Sequence, residues 1–195
     1  MDGAPEKGRT MTVVLTVRIG RIGVNPMETE EYGLDRRASA LKKAGDWSGA
    51  IAALHERKAL MGVGWTDDKL AKYLQHAGRF DEAMAEIQWL LDNSQRYVEQ
   101  LLGHRPASVQ QSSRAVHCMQ VHRAAALICK REGRADLQAH HEHLAERYGA
   151  IRARLEPIAR EAMKGSSGGS SGQRFPIDNE GVRDEKAVFE MRSGE

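Results

Sequence analysis

The chain has 195 residues with only two cysteines, and its 29 lysines and arginines nearly balance 27 acidic residues, for a formal net charge of +2. That length suits one domain with its own core, and the sequence contains no 18-residue apolar run of the kind that crosses a membrane. The polar N-terminus lacks signal-peptide shape, and Cys118 and Cys129 sit about 16 Å apart at 1.5 Å per residue on one predicted helix. They cannot bridge there, so a reducing, cytoplasmic setting is expected.

Residues 1–27 differ in kind from the rest of the chain. Thr12 to Val24 is rich in β-branched residues, and Val13, Leu15, Val17 and Ile19 alternate onto one face. This predicts a short N-terminal β-strand, interrupted by Gly20 and Gly23 and ended by Asn25-Pro26. A lone strand needs a partner, and Ala187-Val188-Phe189-Glu190-Met191 also alternates. Strand addition by this segment is one expectation; docking of Phe175, Ile177 or Phe189 into a helical groove is the other.

From residue 28 to 164 the apolar spacing turns helical. Periodicity and stop signals predict six helices near 28–44, 47–61, 66–77, 80–103, 108–131 and 134–163. Pro106 separates the fourth from the fifth, and Pro157 is expected to kink or restart the last. Two stretches repeat: Ala44-Gly45-Asp46-Trp47-Ser48-Gly49-Ala50-Ile51 and Ala77-Gly78-Arg79-Phe80-Asp81-Glu82-Ala83-Met84. Each offers a glycine where a helix can stop in a left-handed cap, then an aromatic at the start of the next helix and an alanine permitting close approach. The glycines are 33 residues apart, which indicates a repeated helix–turn–helix unit.

With Ala38, Leu41, Gly45, Trp47, Ala50 and Leu54 in one unit, and Leu70, Ala71, Leu74, Gly78, Phe80, Ala83 and Ile87 in the next, the chain resembles the tetratricopeptide repeat family. A third, degenerate unit carries Ala126 and Gly133 but lacks the aromatic, and the proline that usually closes a repeat is absent. The resemblance implies an all-α fold of helical hairpins whose first helices line a groove for an extended peptide. Carried onto this sequence, it implies a peptide-binding set of Tyr32, Lys42, Lys43, Trp65, Lys72, His76, Arg123 and Lys130, with Leu127 beside the last two. The asparagine pair that clamps a terminal carboxylate in some members is missing, so an internal or extended segment is the expected ligand.

Other chemistry is weakly represented. His117, Cys118 and His122 lie within six residues, and Cys118 with His122 share a helix face at i, i+4. A metal-dependent enzyme built on them is the alternative reading, but the glutamate of the zinc protease motif is absent and a third ligand would have to come from another helix. No phosphate loop or nucleophile elbow appears, so no enzymatic activity and no cofactor are expected. Cations such as Lys42, Lys43, Arg131 and Arg147 are interleaved with acids and short of aromatics, which argues against nucleic acid. Leu144, Tyr148, Ile151, Leu155 and Ile158 form a heptad-like stripe, expected to cover the end of the helix stack, with a homodimer seam as its alternative use.

Residues 165–172, Gly-Ser-Ser-Gly-Gly-Ser-Ser-Gly, have the composition of an engineered flexible linker. The 23 residues beyond it, 173–195, are too few for a core. They hold four basic and six acidic side chains, so the tail carries −2 and the remainder +4. The expectation is a helical domain at 28–164 tethered to a peptide from a binding partner, whose anchors are Phe175, Ile177, Val188, Phe189 and Met191. The function classes this leaves open are a bacterial chaperone or adaptor, an immunity-type protein and a regulatory subunit; a self-associating scaffold with a native low-complexity tail is the other alternative.

Overall fold

Three helix ends in this chain solve the same problem in the same way. At Gly45, Gly78 and Gly133 the backbone turns left-handed, with φ of 81°, 74° and 68°. In each turn the glycine N–H bonds the carbonyl three residues back, and the next N–H bonds the carbonyl five back. The second bonds are Asp46 to Leu41, Arg79 to Leu74 and Arg134 to Cys129, all at 2.9 Å. This is the Schellman pattern, which satisfies carbonyls that a helix end would leave open. The third unit therefore turns as the first two do, although it lacks their aromatic. Gly78→Ala is expected to cost about 1–2 kcal/mol, because a Cβ disfavours this backbone region. Gly33→Ala, inside a helix with nothing near its Cβ position, is expected to stabilise by about 0.5–1 kcal/mol. Urea denaturation of both variants tests the contrast.

The structure, a computed structural model, describes residues 29–165. They form α1 (Glu30–Lys43), α2 (Trp47–Met61), α3 (Lys69–His76), α4 (Phe80–Asp92), α5 (Ser94–Leu102), α6 (Ala107–Arg131) and α7 (Ala135–Gly165), with a 3₁₀ turn at Gly62–Gly64. The architecture is a helical bundle in which α1/α2, α3/α4 and α6/α7 are antiparallel hairpins and neighbours pack together, as in a helical repeat. No described helix is long and apolar enough to cross a membrane.

The expected N-terminal β-strand is corrected. The described residues contain helix and turn but no strand. A helix satisfies its backbone groups internally, so these hairpins offer no sheet edge for a strand to join. Both segments expected to pair, Thr12 to Val24 and Ala187 to Met191, lie outside the described residues. Two helix expectations also change. The predicted 80–103 helix divides at Asn93, whose side-chain amide donates to the Trp89 carbonyl at 2.9 Å and competes with helix continuation. The last helix runs on through Pro157 instead of restarting. Pro157 and Ala153 are both exposed, so water can reach the carbonyl that loses its donor.

Alanines sit where helices cross. Ala38, Ala50, Ala71, Ala83 and Ala125 are fully buried, and Leu54, Leu70, Leu74, Ile87 and Leu90 fill the space around them. Charged groups tie the hairpins at the edge of this core. Lys69 donates to Asp35 at 2.8 Å and Ser39 at 3.1 Å, and Arg57 bridges Asp35 (3.2 Å) and Asp67 (2.8 Å). On the side toward α6, Gln75 donates to Glu132 at 2.7 Å. The helix α6 lies against α3, α4, α5 and α7 and so joins the short hairpins to the long one.

Candidate functional site

Two clefts flank the exposed face of α6. The first, of about 420 Å³, opens between the start of α3 and the middle of α6, and its walls include Asp68, Lys72, His117, Arg123 and Leu127. The second, of about 510 Å³, opens between α6 and α7 and is bounded by Arg123, Leu127, Lys130, Ala145, Glu146 and Gly149. Arg123 and Leu127 belong to both and form the ridge between them. Leu127 is 39% exposed, a large apolar side chain in contact with water where a ligand can cover it.

The ridge follows from the helix repeat. Arg123, Leu127 and Lys130 fall at i, i+4 and i+7 and point outward, while Ala124, Ala125, Ile128 and Cys129 are buried beneath them. Lys72 is committed to Asp68 at 2.8 Å within its own helix. Arg123 and Lys130, by contrast, have no ion-pair partner among the described residues. On the opposite wall of the second cleft stand Glu142, which accepts from Gln138 at 2.8 Å, and Glu146. This cleft therefore has cations on its α6 wall, carboxylates on its α7 wall and small or apolar residues between. Such a surface can hold an extended peptide whose charges alternate around apolar side chains.

The eight residues expected to bind peptide separate into groups. Lys72, Arg123 and Lys130 border the two clefts. Lys42 and His76 meet elsewhere, around Trp47: the Lys42 ammonium lies 5.9 Å from the Trp47 ring and 5.1 Å from the Tyr73 ring, and His76 stacks on Trp47 at 5.2 Å. Arg131 donates to His76 Nε2 at 3.2 Å. Slight burial, then the charges of Arg131 and Lys42, hold the His76 imidazole below its ordinary pKa. Tyr32 and Lys43 are exposed on α1, away from the clefts. Trp65 is not on a groove: it is 1% exposed, and its indole N–H donates to Glu86 at 2.9 Å inside the core. The tail anchors Phe175, Ile177, Val188, Phe189 and Met191 lie outside the described residues.

The α7 wall escapes the sequence reading, because the resemblance draws attention to the first helix of each hairpin alone. Its sequence signal is Ala145, Glu146 and Gly149, where small residues at i and i+4 keep the helix surface low beside a carboxylate.

His117, His122 and His141 are buried. His122 on α6 and His141 on α7 face each other with their Nδ1 atoms 3.1 Å apart, so one carries the hydrogen and the other accepts it. Tyr148 stacks on His122 at 5.5 Å. Burial, then the neighbouring His122 and His140, push the His141 pKa down to about 3. His117 donates through Nε2 to the Leu90 carbonyl at 3.2 Å, and burial lowers its pKa despite that bond. Among the described residues no group of three or more histidine, cysteine or carboxylate side chains is placed to hold a metal ion. Burial pushes the Cys129 thiol up to about 11, so it stays protonated. Leu144 is buried and Tyr148 packs against the core, whereas Ile158 is 40% exposed, so the α7 stripe is a core seam at one end only.

No family model, curated protein or solved structure matches this chain.

Proposed function

We propose that this protein is a peptide-capture module of tetratricopeptide-like hairpins, acting without covalent chemistry, and that residues 173–195 are its ligand, a partner segment joined through an engineered linker. Such a module works as an adaptor or chaperone. The observation that carries the reading is the paired clefts on α6, with Arg123 and Lys130 unpartnered beside the exposed Leu127. Two desolvated charge contacts around an apolar anchor suit modest, specific affinity. The acidic excess of the tail complements these cations. A tether of eight residues raises the local ligand concentration to about millimolar, enough to hold a micromolar ligand in place.

Cutting the linker with a site-specific protease, in a purified variant that carries its recognition sequence within residues 165–172, tests the proposal. The freed tail is expected to stay bound at concentrations of about 100 μM, and Lys130→Glu to weaken retention by about five- to tenfold. This position is exposed, so the variant should keep its fold, which circular dichroism checks.

A further inference from the structure

The α6–α7 cleft has features that select one part of the tail. Its α6 wall presents Arg123 and Lys130, seven residues apart on one helix, about 10.5 Å at 1.5 Å per residue. Leu127 stands with them on that wall, and the α7 wall presents Glu146 with the small residues Ala145 and Gly149. A Cβ at Gly149 would stand 3.6 Å from the Met119 sulfur, which sets residue 149 of α7 opposite residue 119 of α6. Along the cleft, from the end nearest the chain terminus toward the Gly133 turn, the order is therefore Gly149, then Glu146 and Arg123, then Leu127, then Lys130.

In the tail, Arg174-Phe175-Pro176-Ile177-Asp178 places Phe175 and Ile177 on one side of an extended chain, with opposite charges at its ends. Five extended residues span about 13 Å at about 3.3 Å per step, close to the length of the cleft. Pro176 fixes an extended backbone and lacks an N–H. In a cleft walled by helices it forfeits nothing, since no strand edge is present among the described residues to accept a ladder bond.

We infer that Arg174–Asp178 is the tail segment that fills the α6–α7 cleft, parallel to α6, with Arg174 against Glu146, Phe175 and Ile177 over Leu127 and Ala145, and Asp178 against Lys130. This inference rests on the peptide-capture reading and adds its register. The tether agrees with it. Gly149 precedes Gly165 by sixteen residues of one helix, about 24 Å at 1.5 Å per residue. Arg174 follows Gly165 by nine residues, a reach of about 31 Å at about 3.5 Å per residue. The chain returning from the end of α7 thus arrives at the Gly149 end of the cleft first. The other apolar segment, Val188 to Met191, arrives fourteen residues later, and closing that longer loop costs more entropy.

The test is photo-crosslinking in the full-length chain with p-benzoylphenylalanine replacing Phe175, and separately Phe189, alongside a charge swap scored by tail retention after linker cleavage. The Phe175 probe is expected to label residues 123–130 of α6 and 142–149 of α7, with the Phe189 probe labelling other positions. Lys130→Glu and Asp178→Lys should each weaken retention by about five- to tenfold, and the two together should restore it to within about twofold. Labelling of this cleft by the Phe189 probe instead, with the tail still retained, overturns the register and leaves peptide capture standing. So does an unrestored charge swap. Loss of the tail on cleavage overturns both.

Discussion

Trp65→Ala is expected to destabilise the protein by about 3–5 kcal/mol, a large part of the stability of an ordinary domain. The ring is 1% exposed and lies among Leu54, Leu70, Ile87 and their neighbours in the central cluster. Its loss leaves a cavity that surrounding helices cannot fill without moving. It also removes the indole donor to Glu86, itself only 6% exposed, whose other oxygen accepts from Lys58 at 2.6 Å. The Arg57 guanidinium, 5.3 Å from the ring centre, loses its aromatic face as well. Trp65→Phe separates these contributions: it keeps most of the volume and should cost about 1–3 kcal/mol through the unpaired buried carboxylate oxygen. Guanidinium denaturation of the two variants measures both. If Trp65→Ala left stability within about 1 kcal/mol of the parent but abolished tail retention, the indole would be a groove anchor and its assignment to the core would be wrong.

The second large effect is loss of stability in mild acid. His141 has its pKa lowered to about 3 in the folded protein from an ordinary value of 6.5. Between those values the unfolded chain binds a proton that the folded chain refuses, so protonation favours unfolding. The stability of this arrangement is fully present above about pH 6.5 and falls as the pH drops, by about 1.4 kcal/mol per unit for one proton. By pH 5 the loss is about 2 kcal/mol from His141 alone, and His117, lowered by burial, acts in the same direction. The groups facing the pair are His140 and Tyr148 on α7, with Cys118 one turn before His122 on α6. His141→Gln retains a hydrogen-bonding group for His122 Nδ1 but cannot titrate. Its stability is expected to fall less steeply than the parent's between pH 6.5 and 5. Parallel acid limbs in the two proteins would contradict the assignment.

Local chemistry was legible in the sequence, and contacts across helices were not. The turns at Gly45 and Gly78 could be read because a Schellman cap is decided within six residues, and the same logic located Gly133 without its aromatic. Helix α6 followed from periodicity, whereas Arg123, Leu127 and Lys130 were implied only by the tetratricopeptide resemblance. Trp65 was misplaced because it lies in the irregular link after Gly62–Gly64, where no period tells inside from outside. The break at Asn93 depends on one side-chain bond that pattern alone does not reveal. Histidine spacing pointed toward His122 with Cys118 on one helix, whereas the contact His122 makes with His141 spans nineteen residues and two helices. The α7 wall of the cleft escaped for the same reason, since Glu146 and Gly149 acquire meaning only when α6 lies opposite.

The central claim is non-covalent capture of the tail, and linker cleavage tests it most directly. The full-length protein, with a protease recognition sequence placed within residues 165–172, is cut there and followed by sedimentation at about 100 μM, with calorimetric back-titration of a 173–195 peptide after dialysis. Capture predicts co-sedimentation in a one-to-one ratio and saturable binding with Kd in roughly the micromolar range, as a millimolar tether would require. Free sedimentation of the tail and no heat at high micromolar peptide, with helical circular dichroism unchanged, would contradict it.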